Sequence, residues 1–133
     1  MENIMNGATA LKQYQQISIH GGVMDASPHR LIQMLLEGAL SRILSAKGFM
    51  KQGNLAKKGE SISSAIAIID GLRSSLDMQK GGEISKNLDS LYEYINTVLL
   101  KANMNNDTNL LNEAGKLLSE IKSGWDGIEQ EVR

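Results

Sequence analysis

The chain has no cysteine. That excludes a disulfide scaffold, a thiolate metal site and a cysteine nucleophile. Proline occurs once, at Pro28, so almost nothing in the chain forbids helix. Aromatic residues are scarce, at one Phe, one Trp and three Tyr among 133 residues. Charge of one sign is missing as well: 14 Lys and Arg face 15 Asp and Glu, a net charge of −1. The basic residues are scattered, which leaves no electrostatic footprint for nucleic acid. No apolar run approaches the roughly 18 residues that span a bilayer. The opening stretch, MENIMNGATALKQ, lacks a basic segment followed by an apolar core. These absences predict one cytosolic domain, without nucleic-acid binding and without membrane insertion.

Catalytic chemistry is also thin. Two histidines occur, His20 and His29, and no Glu-x-x-His pair exists to hold a di-iron site in a bundle. No phosphate-binding glycine loop, zinc-protease motif or calcium loop is present. The sequence therefore predicts no enzyme and no cofactor. One catalytic alternative is a histidine phosphotransfer domain using His29. The run HRLIQML lacks the Lys-Gly that follows the reactive histidine in such domains, and a first-turn His beside Pro28 reads as a solvated helix-start residue.

What is present is helical periodicity. Ser27-Pro28 is a helix start, because Ser accepts a free first-turn N–H and Pro suits the first helical position. The first helix should end near Gln52-Gly53, with Gly as the left-handed stop. A second is predicted from Leu55 to Met78, a third from Glu83 to Asn103, and a last from Thr108 to Val132, with Asn106 or Asp107 as its cap. Four helices joined by short turns predict an all-α, antiparallel up-down four-helix bundle over residues 26–133. Residues 1–25 would form an N-terminal arm or short helix, hinged at Gly21-Gly22.

Rotation at about 100° per residue sorts the apolar side chains. The last helix aligns Leu110, Ala114, Leu117, Leu118, Ile121, Trp125, Ile128 and Val132. The third aligns Ile84, Leu88, Leu91, Ile95, Val98, Leu99 and Ala102, leaving Leu100 and Met104 on the far side. The second places Ile62, Ala65, Ile66, Ile69, Leu72 and Leu76 inside, with Ile68 off-centre. The first is centred on Ile32, Leu35, Ala39, Ile43, Ala46 and Met50. It carries a second row of Leu36, Leu40 and Leu44, with Met34 on the opposite flank. Such a surplus means either a helix covered on both sides or an apolar groove that a partner fills. In the arm, Leu11, Tyr14 and Ile17 are spaced three apart and would line one side of a short helix. Seven Met residues suit irregular cores and adaptable binding surfaces alike.

In order along the chain, YQQIS at 14–18, ASPHRLIQMLLEGAL at 26–40, AIAIIDGL at 65–72, KGGEISKNLDSLYEY at 80–94, LLKAN at 99–103 and the late Trp125 resemble the FliS family of flagellar secretion chaperones. Many members carry Tyr or Phe where this chain has Leu36, so a ring contact at that position does not transfer. The resemblance implies a helical bundle that binds the C-terminal region of flagellin in the cytosol, prevents early polymerisation and delivers it to the flagellar export gate. It implies that Leu11 and Tyr14 sit in the segment that caps the client surface. On this view Leu11, Tyr14, Ile17, Met34, Leu36, Leu40, Leu44, Ile68 and Leu100 are the candidate partner-binding residues. A generic adaptor for one amphipathic helix remains an alternative, and self-association through the same rows stays open.

Overall fold

The structure, a computed structural model, describes residues 27–128. Four helices follow in order: α1 (Pro28–Lys51), α2 (Leu55–Ser74), α3 (Gly82–Asn105) and α4 (Thr108–Gly127). α1 packs on α2 and α4, and α3 packs on the same two, so the helices close a ring with α1 diagonal to α3. Cross-helix bonds fix the directions. Lys58 at the start of α2 reaches Asn103 near the end of α3, and His29 at the start of α1 meets Trp125 near the end of α4. Among the described residues the fold is therefore the expected antiparallel up-down bundle.

Local chemistry sets the helix ends. The Ser27 hydroxyl accepts the Arg30 N–H at 3.1 Å, and Pro28 opens α1 as the sequence predicts. Gly53 stops it at φ +75°. Asn54 caps α2 by accepting the Lys57 N–H. α2 ends at Ser74, a turn earlier than the expected Met78. The Asp77 carboxylate accepts the N–H groups of Gln79 (3.1 Å) and Lys80 (2.9 Å), which offers the backbone an alternative to helix. Gly81 is needed in this turn because an added Cβ would fall 2.9 Å from the Asp77 carbonyl oxygen. Asn106 ends α3 in the left-handed region (φ 49°), and Asp107 caps α4 through the Asn109 and Leu110 N–H groups. Both candidate cap residues thus act, one on each helix.

The buried Lys58 side chain adds a second stop to α3. Its ammonium donates to the Asn103 carbonyl (3.0 Å) and to the Asn106 side-chain oxygen (2.6 Å). A cation there meets the unsatisfied carbonyls and the negative end of the helix dipole.

The core runs through Leu35, Ala39 and Ile43 of α1, Ile62, Ala65 and Ile69 of α2, Ile95 and Leu99 of α3, and Leu111, Ala114 and Leu118 of α4. Three assignments change. Ile84, expected inside, is 72% exposed, because the core thins at the first turn of α3. Leu111 is fully buried while Leu110 is half-buried, which shifts the α4 stripe by part of a turn. Tyr92, outside the predicted α3 stripe, is 3% exposed.

Candidate functional site

At the end of the bundle where α1 and α3 begin and α2 and α4 finish lies a cavity of about 530 Å³, lined from all four helices. α1 contributes Ile32 and Leu36, α2 Leu72, the turn after it Leu76, α3 Ile84, Leu88 and Tyr92, and α4 Ile121 and Trp125, with Ile128 just past its end. The walls are thus almost wholly apolar, the composition that accepts another apolar surface. Asp77 and Glu120 bring two carboxylates to the lining, and no Lys or Arg joins it. Burial pushes the Tyr92 phenol up to about 12.

The α1–α4 corner of the cavity is clasped shut. The His29 and Trp125 rings stack with centroids 4.7 Å apart and planes 10° from parallel. The indole N–H donates to the His29 carbonyl at 3.0 Å. The His29 Nε2 lies 2.8 Å from the Trp125 carbonyl oxygen. That partner only accepts, so Nε2 carries a proton and donates it. Nδ1 is buried and has no hydrogen-bond partner. Gln33 donates to Asp126 at 2.7 Å across the same corner, and Lys122 pairs with Asp126 at 2.6 Å. These two donors hold the Asp126 carboxyl below the usual carboxylate range. His29 is only 7% exposed, so it is not the solvated helix-start residue read from the sequence. Its packing also removes the exposure that phosphotransfer to a receiver protein requires.

The sequence-derived binding residues scatter. Leu36 is fully buried yet lines the cavity, and Leu40 is half-buried beside it. Leu44, two turns further along α1, is 67% exposed. The row therefore rotates from core to solvent as it climbs the helix, a direct result of 3.6 residues per turn. Ile68 is 5% exposed and belongs to the core rather than to an open flank. Met34 is half-buried. Leu100 is 54% and Met104 78% exposed, on the side of α3 the sequence assigns to them. Neither lines the cavity. Leu11, Tyr14 and Ile17 lie outside the described residues. Of the cavity residues that sequence reasoning missed as a site, Ile84, Leu88, Ile121 and Ile128 sat in predicted core stripes, while Tyr92 and Glu120 sat outside them. The available signal was the Gly81-Gly82 turn and Gly124, which mark where α3 starts and α4 loses side-chain bulk.

The class these features define is an up-down four-helix bundle with an apolar cavity at one end. The comparisons with known proteins give that class its family. The family profile of the flagellar protein FliS matches residues 10–132. The flagellar secretion chaperone FliSB of Pseudomonas aeruginosa is 53% identical over 124 residues, covering 93% of this chain and 98% of that one. The flagellar secretion chaperone FliS of Salmonella typhimurium is 47% identical over 125 residues, covering 93% of each. That of Bacillus subtilis is 30% identical over 130 residues, covering 98% of this chain and 91% of that one. The chain belongs to the FliS family of flagellar secretion chaperones.

Proposed function

We propose that this chain binds the C-terminal region of flagellin in the cytosol, prevents its premature polymerisation and hands it to the flagellar export gate. The observation that carries this reading is the apolar cavity of about 530 Å³ at one end of a FliS-family bundle. A segment that stays unfolded until assembly has apolar side chains to hide, and docking them in a ready cavity offsets the entropy of ordering them. Outer residues such as Leu44 and Leu100 extend the contact along the bundle, since an extended client reaches more than one end of it. No nucleotide is required, because release follows handover.

The N-terminal arm enters this reading through position. Ser27 caps α1, whose first turns line the cavity, so the chain enters the bundle at the cavity end. Leu11, Tyr14 and Ile17 would then either compete with the client or contact it.

Calorimetric titration of the full chain with a peptide from the flagellin C-terminus is the direct test. Saturable one-to-one binding is expected, and absence of binding overturns the reading. Deleting residues 1–18 raises the client on-rate if the arm competes. Tyr14→Ala weakens affinity by about 1–2 kcal/mol if the arm is a contact.

A further inference from the structure

We propose that Glu120 is a specificity residue of the cavity, selecting a helical client segment that sets a Lys or Arg beside its apolar anchors. The proposal rests on the chaperone reading of the cavity and adds a charge rule to it.

Three observations converge. First, the lining holds two carboxylates and no basic side chain. Second, the two carboxylates differ in what they already hold. Asp77 already accepts the backbone N–H groups of Gln79 and Lys80 through Oδ1, which ties that carboxylate to the turn. Glu120 is exposed and makes no hydrogen bond or ion pair among the described residues. Other carboxylates of α1 and α4 are engaged: Glu37 with Arg30, Asp126 with Lys122, and Glu113 with the Tyr94 hydroxyl. Third, Glu120 stands one helical turn before Gly124, and nothing lies within 4 Å of where a Gly124 Cβ would be. A client helix can therefore approach the α4 backbone closely at Gly124, with Glu120 at its flank. A Lys or Arg on that flank lays its methylene stem over the apolar wall and its charge against the carboxylate. An acidic flank meets repulsion instead.

The test uses three synthetic 18-residue amphipathic peptides with one apolar face, whose flanking positions are all Lys, all Gln or all Glu. Trp125, the single Trp of the chain, lines the cavity, so its fluorescence reports occupation. The Lys peptide is expected to bind the full chain about two- to five-fold tighter than the Gln peptide, the scale of a partly exposed ion pair. The Glu peptide should bind weaker than the Gln peptide. The Lys–Gln gap should close in Glu120→Gln and in high salt, and persist in Glu60→Gln, an exposed site away from the cavity. Equal affinity of the Lys and Gln peptides, a gap that survives Glu120→Gln, or no peptide binding at all overturns the proposal. If flagellin peptide binds while the synthetic series shows no charge preference, Glu120 loses its role and the chaperone reading stands. If flagellin peptide fails to bind, the chaperone reading falls, while the synthetic series still decides the role of Glu120.

Discussion

Two aromatic side chains show how a small number of rings can carry a bundle end. Trp125 is half-buried, yet its ring, its N–H and its carbonyl each bind a different part of His29. Trp125→Ala should destabilise the protein by on the order of 3 kcal/mol in denaturant melts. A loss below about 1 kcal/mol would mean that the clasp contributes little. Tyr92 makes a prediction about pH. Its phenol is pushed up to about 12 by burial, above the ordinary value of 10.0. The folded state then holds a proton that the unfolded state releases first. Stability is therefore full below about 10 and falls as pH rises toward about 12. Tyr92→Phe should remove that share of the alkaline loss. Ultraviolet titration should show one of the three tyrosines of the chain ionising near 12 in the wild type.

On the scale of a helix, α1 is the informative element. It packs against α2 and α4, so its buried arc is wider than one stripe. Leu36 falls within that arc at 0% exposure and Leu44 outside it at 67%. The same substitution should therefore act differently two turns apart. Leu36→Glu forces a carboxylate into an apolar site, costing several kcal/mol and unfolding much of the population. Leu44→Glu should change stability by no more than about 0.5 kcal/mol. If Leu44 contacts flagellin, the second variant should weaken client binding while its melting curve stays put. Circular dichroism melts and calorimetry separate the two effects. α2 teaches a related lesson, because its apolar spacing continues to Leu76 while the helix stops at Ser74. Leu76 still packs on the core from the loop, held there by the Asp77 turn.

For the whole molecule, cross-helix polar bonds tie the bundle at its seams. Arg73 at the end of α2 donates to Asp89 of α3 at 2.8 Å, and that bond holds the Asp89 carboxyl below its ordinary value of 3.8. Asp126 at the α1–α4 corner is lowered likewise. A carboxylate with a depressed folded pKa stabilises the protein above about 3.8, and the gain is lost as pH falls through the lower folded value. Asp70 runs the other way. Desolvation raises its pKa, partly offset by Arg73 and by the Asn96 amide at 3.0 Å, so protonation relieves a cost in the folded state. The expected net result is that Asp89→Asn is less stable than wild type at neutral pH, with the gap narrowing below about pH 4. A gap that stays constant down to pH 2 would mean that the Arg73–Asp89 bond is not what stabilises this seam.

How much of this was legible beforehand follows from which forces are local. Helix identity, the Ser27-Pro28 start, the Gly53 stop and an α4 cap at Asn106 or Asp107 depend on backbone groups within a few residues and were legible in the sequence; the structure chose Asp107 and gave Asn106 to the end of α3. Periodicity also determined most of the inner faces, since a stripe has a single direction in which to bury, though the α4 stripe lies part of a turn from its expected place and Tyr92 joins the core of α3. The family was legible too, from ordered motifs along nearly the whole chain. Tertiary structure decided whatever depends on a neighbouring helix. Ile68 and Leu36 turn out buried because a second helix covers their flank, and Ile84 exposed because no other described residue covers it at the first turn of α3. His29 became a buried clasp only because α4 brings Trp125 to it from 96 residues away. The cavity is the clearest case. Its walls are mostly core-type residues drawn from all four helices, and only their assembly at one end of the bundle leaves a space that a periodicity diagram has no means to contain.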